Sequence, residues 1–449
     1  MKWWGRQIIM GWVISVPLWA TAAEPDPGWV GTAGCSKRGC HNGPGEGTTA
    51  AYRLWSTVDP HSHAFDVLLE PVSQRMAKDI GLKSPAQDSE LCLKCHSGDV
   101  PATSPKQKIL LSQGVSCEVC HGAASRWLEP HIRPAWRAGP KAAKAQVGLR
   151  DLSSPRARVE TCINCHVGKP GFEVTHDMIA AGHPRLLFEA TAYFDHGLTR
   201  HWDEAKVRRD DPQFTAKLWL IGQTSTFKRS MGLLQARPPD RLFTEFADHD
   251  CYACHKALDL SSAKPLAANT GTGANSATVS NSAPVSNSAT WGRWPAELSH
   301  FAEKGNLGLP QGTIAEVDQM RDQFQLSKFD HAATQLQALS NKFATWDSVA
   351  DQTKWTPPQL RAIMLECASP IAAGHADWEV AWQRYRALTA LSQSWSPGHE
   401  SVTKSLASPL VDLKVGLRFP KGFLCPKGFD LEAFNRHLEV VRKMLAANP

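Results

Sequence analysis

The sequence predicts a mainly α chain with little regular strand, closed by a C-terminal helical bundle, and three observations carry that expectation. Between Trp291 and Pro449 the apolar residues fall at helical spacing in five segments: Thr313–Ser327, Asp330–Trp346, Pro358–Cys367, Asp377–Trp395 and Asp430–Ala447. Leu336, Leu339, Phe343 and Trp346 line one face of the second. Ala51–Phe65 reads as a helix broken at Pro60 and restarted beyond it, because the residue before a proline is pushed out of the helical region. Residues 257–290, built of Ser, Ala, Asn, Thr, Gly and Pro, cannot bury enough surface to order themselves and read as a flexible linker. The expected units are therefore 1–23, 24–256, 257–290 and 291–449.

The unit before the linker is organised by one repeated pattern. Cys92-Leu-Lys-Cys95-His96, Cys117-Glu-Val-Cys120-His121, Cys162-Ile-Asn-Cys165-His166 and Cys251-Tyr-Ala-Cys254-His255 share the same spacing. Cys35 and Cys40, followed by His41, form a looser copy nearest the N-terminus. Two thiols at this spacing add across the vinyl groups of one haem, and the imidazole of the next residue reaches the iron from below the ring. With 18 His in 449 residues, a His follows a given Cys by chance about 4% of the time, so five such followers are not accidental. Zinc sites also use paired cysteines, but nothing in a four-cysteine site requires His after every second one. The pattern implies five covalent c-type haems, or four if Cys35 and Cys40 instead make a disulfide beside an unrelated His41.

The leader and the charge bound where such a protein works. Met1–Ala23 carries Lys2 and Arg6, an apolar run from Ile8 to Trp19 and a small-residue end, Ala20-Thr-Ala-Ala23, the three parts of a secretory signal. The run is too short for a permanent span, so cleavage after Ala22 or Ala23 is expected, with an uncleaved N-terminal tether as the alternative. Thioether attachment takes place outside the cytoplasm, which suits a periplasmic address. The formal charge of +6 falls with the leader and with five pairs of propionates to about −1 in the oxidised holoprotein, which removes nucleic acid as a partner.

Histidines outside the motifs are candidates for the far side of each iron. His61 and His63 follow Pro60, and being two residues apart they lie on different helical faces, so one haem would take only one of them, His61 by preference. His131 lies ten residues past His121, roughly 15 Å along a helix, which favours a different haem. His176 and His183 are seven apart, two turns of a helix, and could point the same way toward adjacent haems. His201, beside Trp202, is the fifth candidate. The segment from Arg126 to Arg150 holds six basic residues and one acid, and reads either as a partner for propionates or an acidic protein, or as a solvated loop.

Cys117-Glu118-x-Cys120-His121-Gly122, the Trp127–His131 tail, Asp59-x-His61 and His176-Asp-Met-Ile-Ala-Ala-Gly-His183-Pro-Arg-Leu-x-Phe188-Glu189 resemble the multihaem cytochromes of the cytochrome c-554-like family. The resemblance runs from about Trp29 to His255 and implies a mainly helical multihaem domain with closely spaced haems, mostly held by two His ligands, passing electrons. It carries ligand roles to His61, His131, His176 and His183. The wide spacing of Cys35 and Cys40, the fifth motif and everything after it depart from the family pattern. The family's type member keeps one iron with an open position, so a second function is also implied: an enzyme acting on a small nitrogen or sulfur compound at one such haem.

Plentiful free His, and no Cys-x-x-Cys-Lys motif, favour the electron carrier. Its partners are expected to be periplasmic or membrane-bound electron-transfer proteins, with the C-terminal bundle as a further docking module. His300, His331, His375, His399 and His437 in the bundle are expected at the surface or at helix caps. Cys367 and Cys425, left over after haem attachment, form either a disulfide or two buried thiols.

Overall fold

The computed structural model describes residues 28–196 apart from 38, 46, 103 and 105, then 204–237, 245–249, 301, 303, 308–325, 329–372, 378–395, 398–418 and 429–448. The leader 1–23, His201, Cys251, Cys254, His255, the stretch 257–290 and Cys425 lie outside the described residues. Among those described the elements are helices and turns, with no strand, as the expected class requires. None of these helices is long and apolar enough to cross a membrane.

The motif-bearing half is a succession of short helices: α1 (Ala51–Val58), α2 (Pro71–Asp79), α3 (Glu90–His96), α4 (Gln107–Leu111), α5 (Cys117–His121), α6 (Pro134–Ala138), α7 (Lys141–Gln146), α8 (Pro155–His166), α9 (His176–Ala180), α10 (Ala190–His196) and α11 (Glu204–Asp210). Three of them, α3, α5 and α8, end on the His of a motif. Each is stopped by a glycine with positive φ, Gly98, Gly122 or Gly168, the conformation that closes a helix at its C-terminus. At Gly122 the demand is absolute, because a Cβ there would stand 2.0 Å from the Gly148 carbonyl oxygen. Helix breaks follow the expected chemistry at Pro60, where α1 gives way to a 3-10 turn over Pro60–His63. They depart from it at His176–His183. The two-turn helix expected there stops at Ala180, and Gly182 takes φ +116, so His183 leaves the helix altogether.

Helix α12 (Phe214–Ala236) holds the two halves together. Its residues from Leu218 to Phe227 are all buried, on every face, as befits a helix at the centre of a core rather than on its rim. It packs against α8 and α10 from the motif half and against α14 (Phe329–Ala350) and α16 (Trp378–Trp395) from the C-terminal half. Around these stand α13 (Thr313–Gln325), α15 (Pro357–Cys367), α17 (Glu400–Gly416) and α18 (Leu431–Ala446). One apolar core runs from Val159 on α8 to Leu445 on α18 and includes Trp219, Phe227, Phe343, Trp395 and Phe434. The five expected C-terminal helices are present within a few residues of their expected ends. Helix α17 was hidden from sequence by Pro409 in its interior, which removes a backbone donor and normally breaks a helix. It survives by burying Leu406, Pro409 and Leu413 against its neighbours.

Polar clamps reinforce the shared core. Arg156 on α8 reaches Asp347 on α14 at 2.6 Å and Asp351 at 2.5 Å. Thr224 and Ser225 on α12 donate to the same Asp347 at 2.7 and 3.1 Å. Arg185 pairs with Glu379 at 2.7 Å and Glu189 with Arg386 at 3.0 Å, both across to α16. Burial alone would push the Asp347 carboxyl up, but the Arg156 and Thr224 hydrogen bonds hold it below the usual carboxylate range. A carboxyl held low in the fold contributes stability that is present above its unfolded value and disappears as the pH falls through the folded one. Asp347→Ala, which leaves the half-enclosed Arg156 guanidinium without its main counter-charge, is expected to cost about 3–5 kcal/mol. Denaturant unfolding at pH 7 measures it, and the difference from the parent should shrink as the pH drops below about 4.

Candidate cofactor sites

The imidazoles show how the motifs are built. Four rings place Nδ1 against a backbone carbonyl: His41 on Thr48 O at 2.8 Å, His96 on Ala64 O at 2.6 Å, His183 on Pro184 O at 2.8 Å, and His131 on Leu128 O. A carbonyl oxygen only accepts, so Nδ1 carries the proton in each ring and Nε2 keeps a bare lone pair, the form that binds a metal. His61 reaches the same state through a carboxylate. Asp59, only 4% exposed, accepts from His61 Nδ1 at 2.9 Å and from its backbone N–H at 3.0 Å. These partners fix both tautomer and ring direction, as outer groups do around metal-bound His.

The rings are brought together in pairs. His41 of the first motif faces His131 with ring centres 6.2 Å apart and planes 16° apart. His96 of the second faces His183 at 6.5 Å and 88°, and His166 of the fourth faces His61 at 6.0 Å and 82°. A metal held between two imidazoles needs two bonds of about 2 Å plus the ~1 Å from each nitrogen to its ring centre, a total of about 6 Å. The three separations fit that requirement. Among the described residues no group of three or more His, Cys, Asp or Glu converges as a bare metal site would need. Burial, with His61 alongside, pushes His166 down to about 4, and burial also lowers His96. Both therefore stay neutral at physiological pH.

The thiols are likewise gathered across motifs. Cys35 lies close enough to Cys117 for each to act on the other, and Cys95 likewise to Cys165, whose Sγ is also 3.9 Å from the Lys94 carbonyl oxygen of the second motif. Cys120 and Cys162 stand close enough to act on each other electrostatically, joining third to fourth, and burial pushes their thiols up to about 11 and about 12.

Other expected residues fall as follows. His63 is exposed and pairs with Asp66 at 3.1 Å, consistent with a solvent contact. His176 opens α9, takes a carboxylate on its backbone N–H from Glu245 at 2.6 Å and lies edge-on to Phe246. His131 is reached through turns and a 3-10 segment, not along a helix. The contacts of three further residues were not read from the sequence. Tyr193 packs edge-on to His166 at 4.6 Å, with Phe188 behind it. Trp127 lies edge-on to His131 at 5.7 Å and buries an indole N–H that has no protein acceptor, a donor placed for a propionate. Arg150 donates to the Val119 and Cys120 carbonyls at 2.6 and 3.0 Å and so caps the third motif's helix.

Glu118, inside the third motif, is the strut between sites. It is 2% exposed and accepts from the backbone N–H groups of Val30 at 3.0 Å, Gly31 at 2.7 Å and Ala124 at 2.8 Å. The loop leading to the first motif is thereby tied to the third.

Paired thiols with a following His, on helices whose imidazoles face a second His, are the construction of a c-type cytochrome, a protein that binds haem covalently. Residues 35–122, which hold the first three motifs, match the family model described as cytochrome c554 and c-prime, and this segment is cytochrome c-554-like. No curated protein and no solved structure matches the chain. Glu118→Ala would leave three enclosed N–H groups without an acceptor, at about 1–3 kcal/mol each. The expected result is a large fall in denaturant midpoint, with weakened haem incorporation at the first and third motifs by mass spectrometry of peptides.

Proposed function

We propose that this is an exported, periplasmic pentahaem c-type cytochrome that passes electrons between redox partners through closely spaced, mostly bis-His haems. The observation that supports it is the set of facing imidazole pairs, His41 with His131, His96 with His183 and His166 with His61. The ten motif cysteines, Cys35, Cys40, Cys92, Cys95, Cys117, Cys120, Cys162, Cys165, Cys251 and Cys254, would form the thioethers, and His41, His96, His121, His166 and His255 the proximal bonds. His176 and His201 remain the candidates for the distal sides of the third and fifth haems. A bound haem supplies one-electron exchange between ferric and ferrous iron.

The residues around it do the rest. Facing imidazoles would hold the iron from both sides and leave substrate no coordination site, which is what a carrier needs. Protonated Nδ1 atoms anchored on carbonyls hold the rings still, so that a change of charge on the iron meets little rearrangement. Partly buried Tyr193, with buried Phe188 and Trp127, would keep water from the edges of the axial rings. Glu118 ties the chain before the first motif to the third, Gly98 behind the second packs on Val119 inside the third, and Cys165 of the fourth lies 3.9 Å from the Lys94 carbonyl of the second, so the four motifs are neighbours.

Low-temperature EPR of the oxidised protein tests this. A site with near-parallel imidazole planes gives an ordinary rhombic low-spin signal, and near-perpendicular planes give a strongly anisotropic one. One signal of the first kind and at least two of the second are expected. His61→Ala, His131→Ala and His183→Ala should each convert one haem to high spin, with the mass still showing five haems. A high-spin component already present in the parent and shifted by nitrite, hydroxylamine or cyanide would favour the enzyme instead.

A further inference from the structure

We infer that the first haem site is the port at which an acidic redox protein docks, guided by the basic lobe that runs from Arg133 to Arg150. This rests on the haem reading of Cys35, Cys40 and His41. The two cysteines of that motif differ in exposure. Cys35 is buried against Cys117, toward the third site. Cys40 is the one exposed cysteine among those described. A haem bonded to both would be joined through one buried and one exposed cysteine.

The lobe is physically joined to this site. Arg137 Nε donates to the backbone carbonyl of His131, the ring that faces His41, at 3.3 Å. Lys144 Nζ donates to the Arg137 carbonyl at 2.8 Å and lies over the Trp136 ring at 5.1 Å. Two of the lobe's cations are matched: Arg133 by Glu129 at 3.2 Å and Lys141 by Asp151 at 2.8 Å. The hydrogen bonds of Arg137, Lys144 and Arg150 go to carbonyl oxygens, which do not cancel a charge. Exposed Lys37, inside the first motif, adds to the same field.

The second and fourth sites differ. At the second and fourth motifs Lys94 and Lys169 are both neutralised by Asp99, at 2.9 and 3.0 Å, and Lys94 also meets Glu90. A holoprotein of near-zero net charge thus concentrates positive charge beside the first site. Such a patch steers an oppositely charged partner and orients it on arrival. A membrane surface fits less well, since α6 and α7 have only five and six residues and lack the apolar face of an interfacial helix.

The test compares the haem-loaded full chain with R137E/K141E/K144E and with the milder K141Q/K144Q. Electron transfer from reduced flavodoxin, an acidic carrier serving as the probe, is followed by stopped flow. At low ionic strength the charge-reversed variant should be slower by about tenfold or more and the neutralised one by a smaller factor, with both differences vanishing near 0.5 M salt. An unchanged rate in variants that keep the parent's visible spectrum overturns the proposal. So does loss of co-sedimentation with phosphatidylglycerol vesicles while the flavodoxin rate stays the same, which would assign the lobe to a membrane. Cys35→Ser/Cys40→Ser separates this from the haem reading: an unchanged haem count by mass would sink that reading, whatever the flavodoxin rates.

Discussion

A carbonyl oxygen cannot give a hydrogen bond, and the organisation of the motif half depends on that limitation. Wherever an imidazole rests its Nδ1 on such an oxygen, its other nitrogen is left unprotonated and aimed away. His41, His96, His131 and His183 are all held so, and Asp59 does the same for His61. Because these acceptors belong to backbone turns, the fold of the turns decides which rings meet. That is why a region with few long helices can still hold its rings at reproducible separations: the scaffold is a set of fixed carbonyls.

The C-terminal helices do more than follow the cytochrome region. Arg386 and Glu379 on α16 and Asp347 on α14 reach back to Glu189, Arg185 and Arg156. Glu189 also accepts from the Thr191 and Ala192 N–H groups and so fixes the start of α10, from which Tyr193 and Phe194 project. A charge on α16 thus helps to set the wall beside His166. Paired, enclosed charges contribute little net stability but are costly to separate, so these clamps fix how the halves meet more than they strengthen the fold.

Much of this was legible in the residues. The motif spacing, the Pro60 break and the C-terminal helices follow from local chemistry, as does the placing of His131 beside a motif other than its nearest. Where sequence reasoning failed, the reasons are local or long-range. The supposed helix joining His176 to His183 overlooked Gly182, whose position before His183-Pro184 was the available signal for a stop. Helix α17 was hidden by a proline that burial outweighs. The pairings of rings and thiols were out of reach, since residues 90 to 105 apart, such as His41 with His131 or His61 with His166, carry no mark of each other in a single chain. Nor did sequence foreshadow the α16 clamps, whose charges look like ordinary surface residues at helical spacing.

The Glu118 strut carries one more consequence, for the way the protein is made. Its carboxylate gathers Val30 and Gly31 from before the first motif together with Ala124 from after the third. A chain that grows from its N-terminus has no means of closing that knot until Ala124, about a quarter of the way along, has been made. Until then the carboxylate has nothing to gather, so the turns beside the first motif take their final places only after the third motif and the residues just beyond it exist.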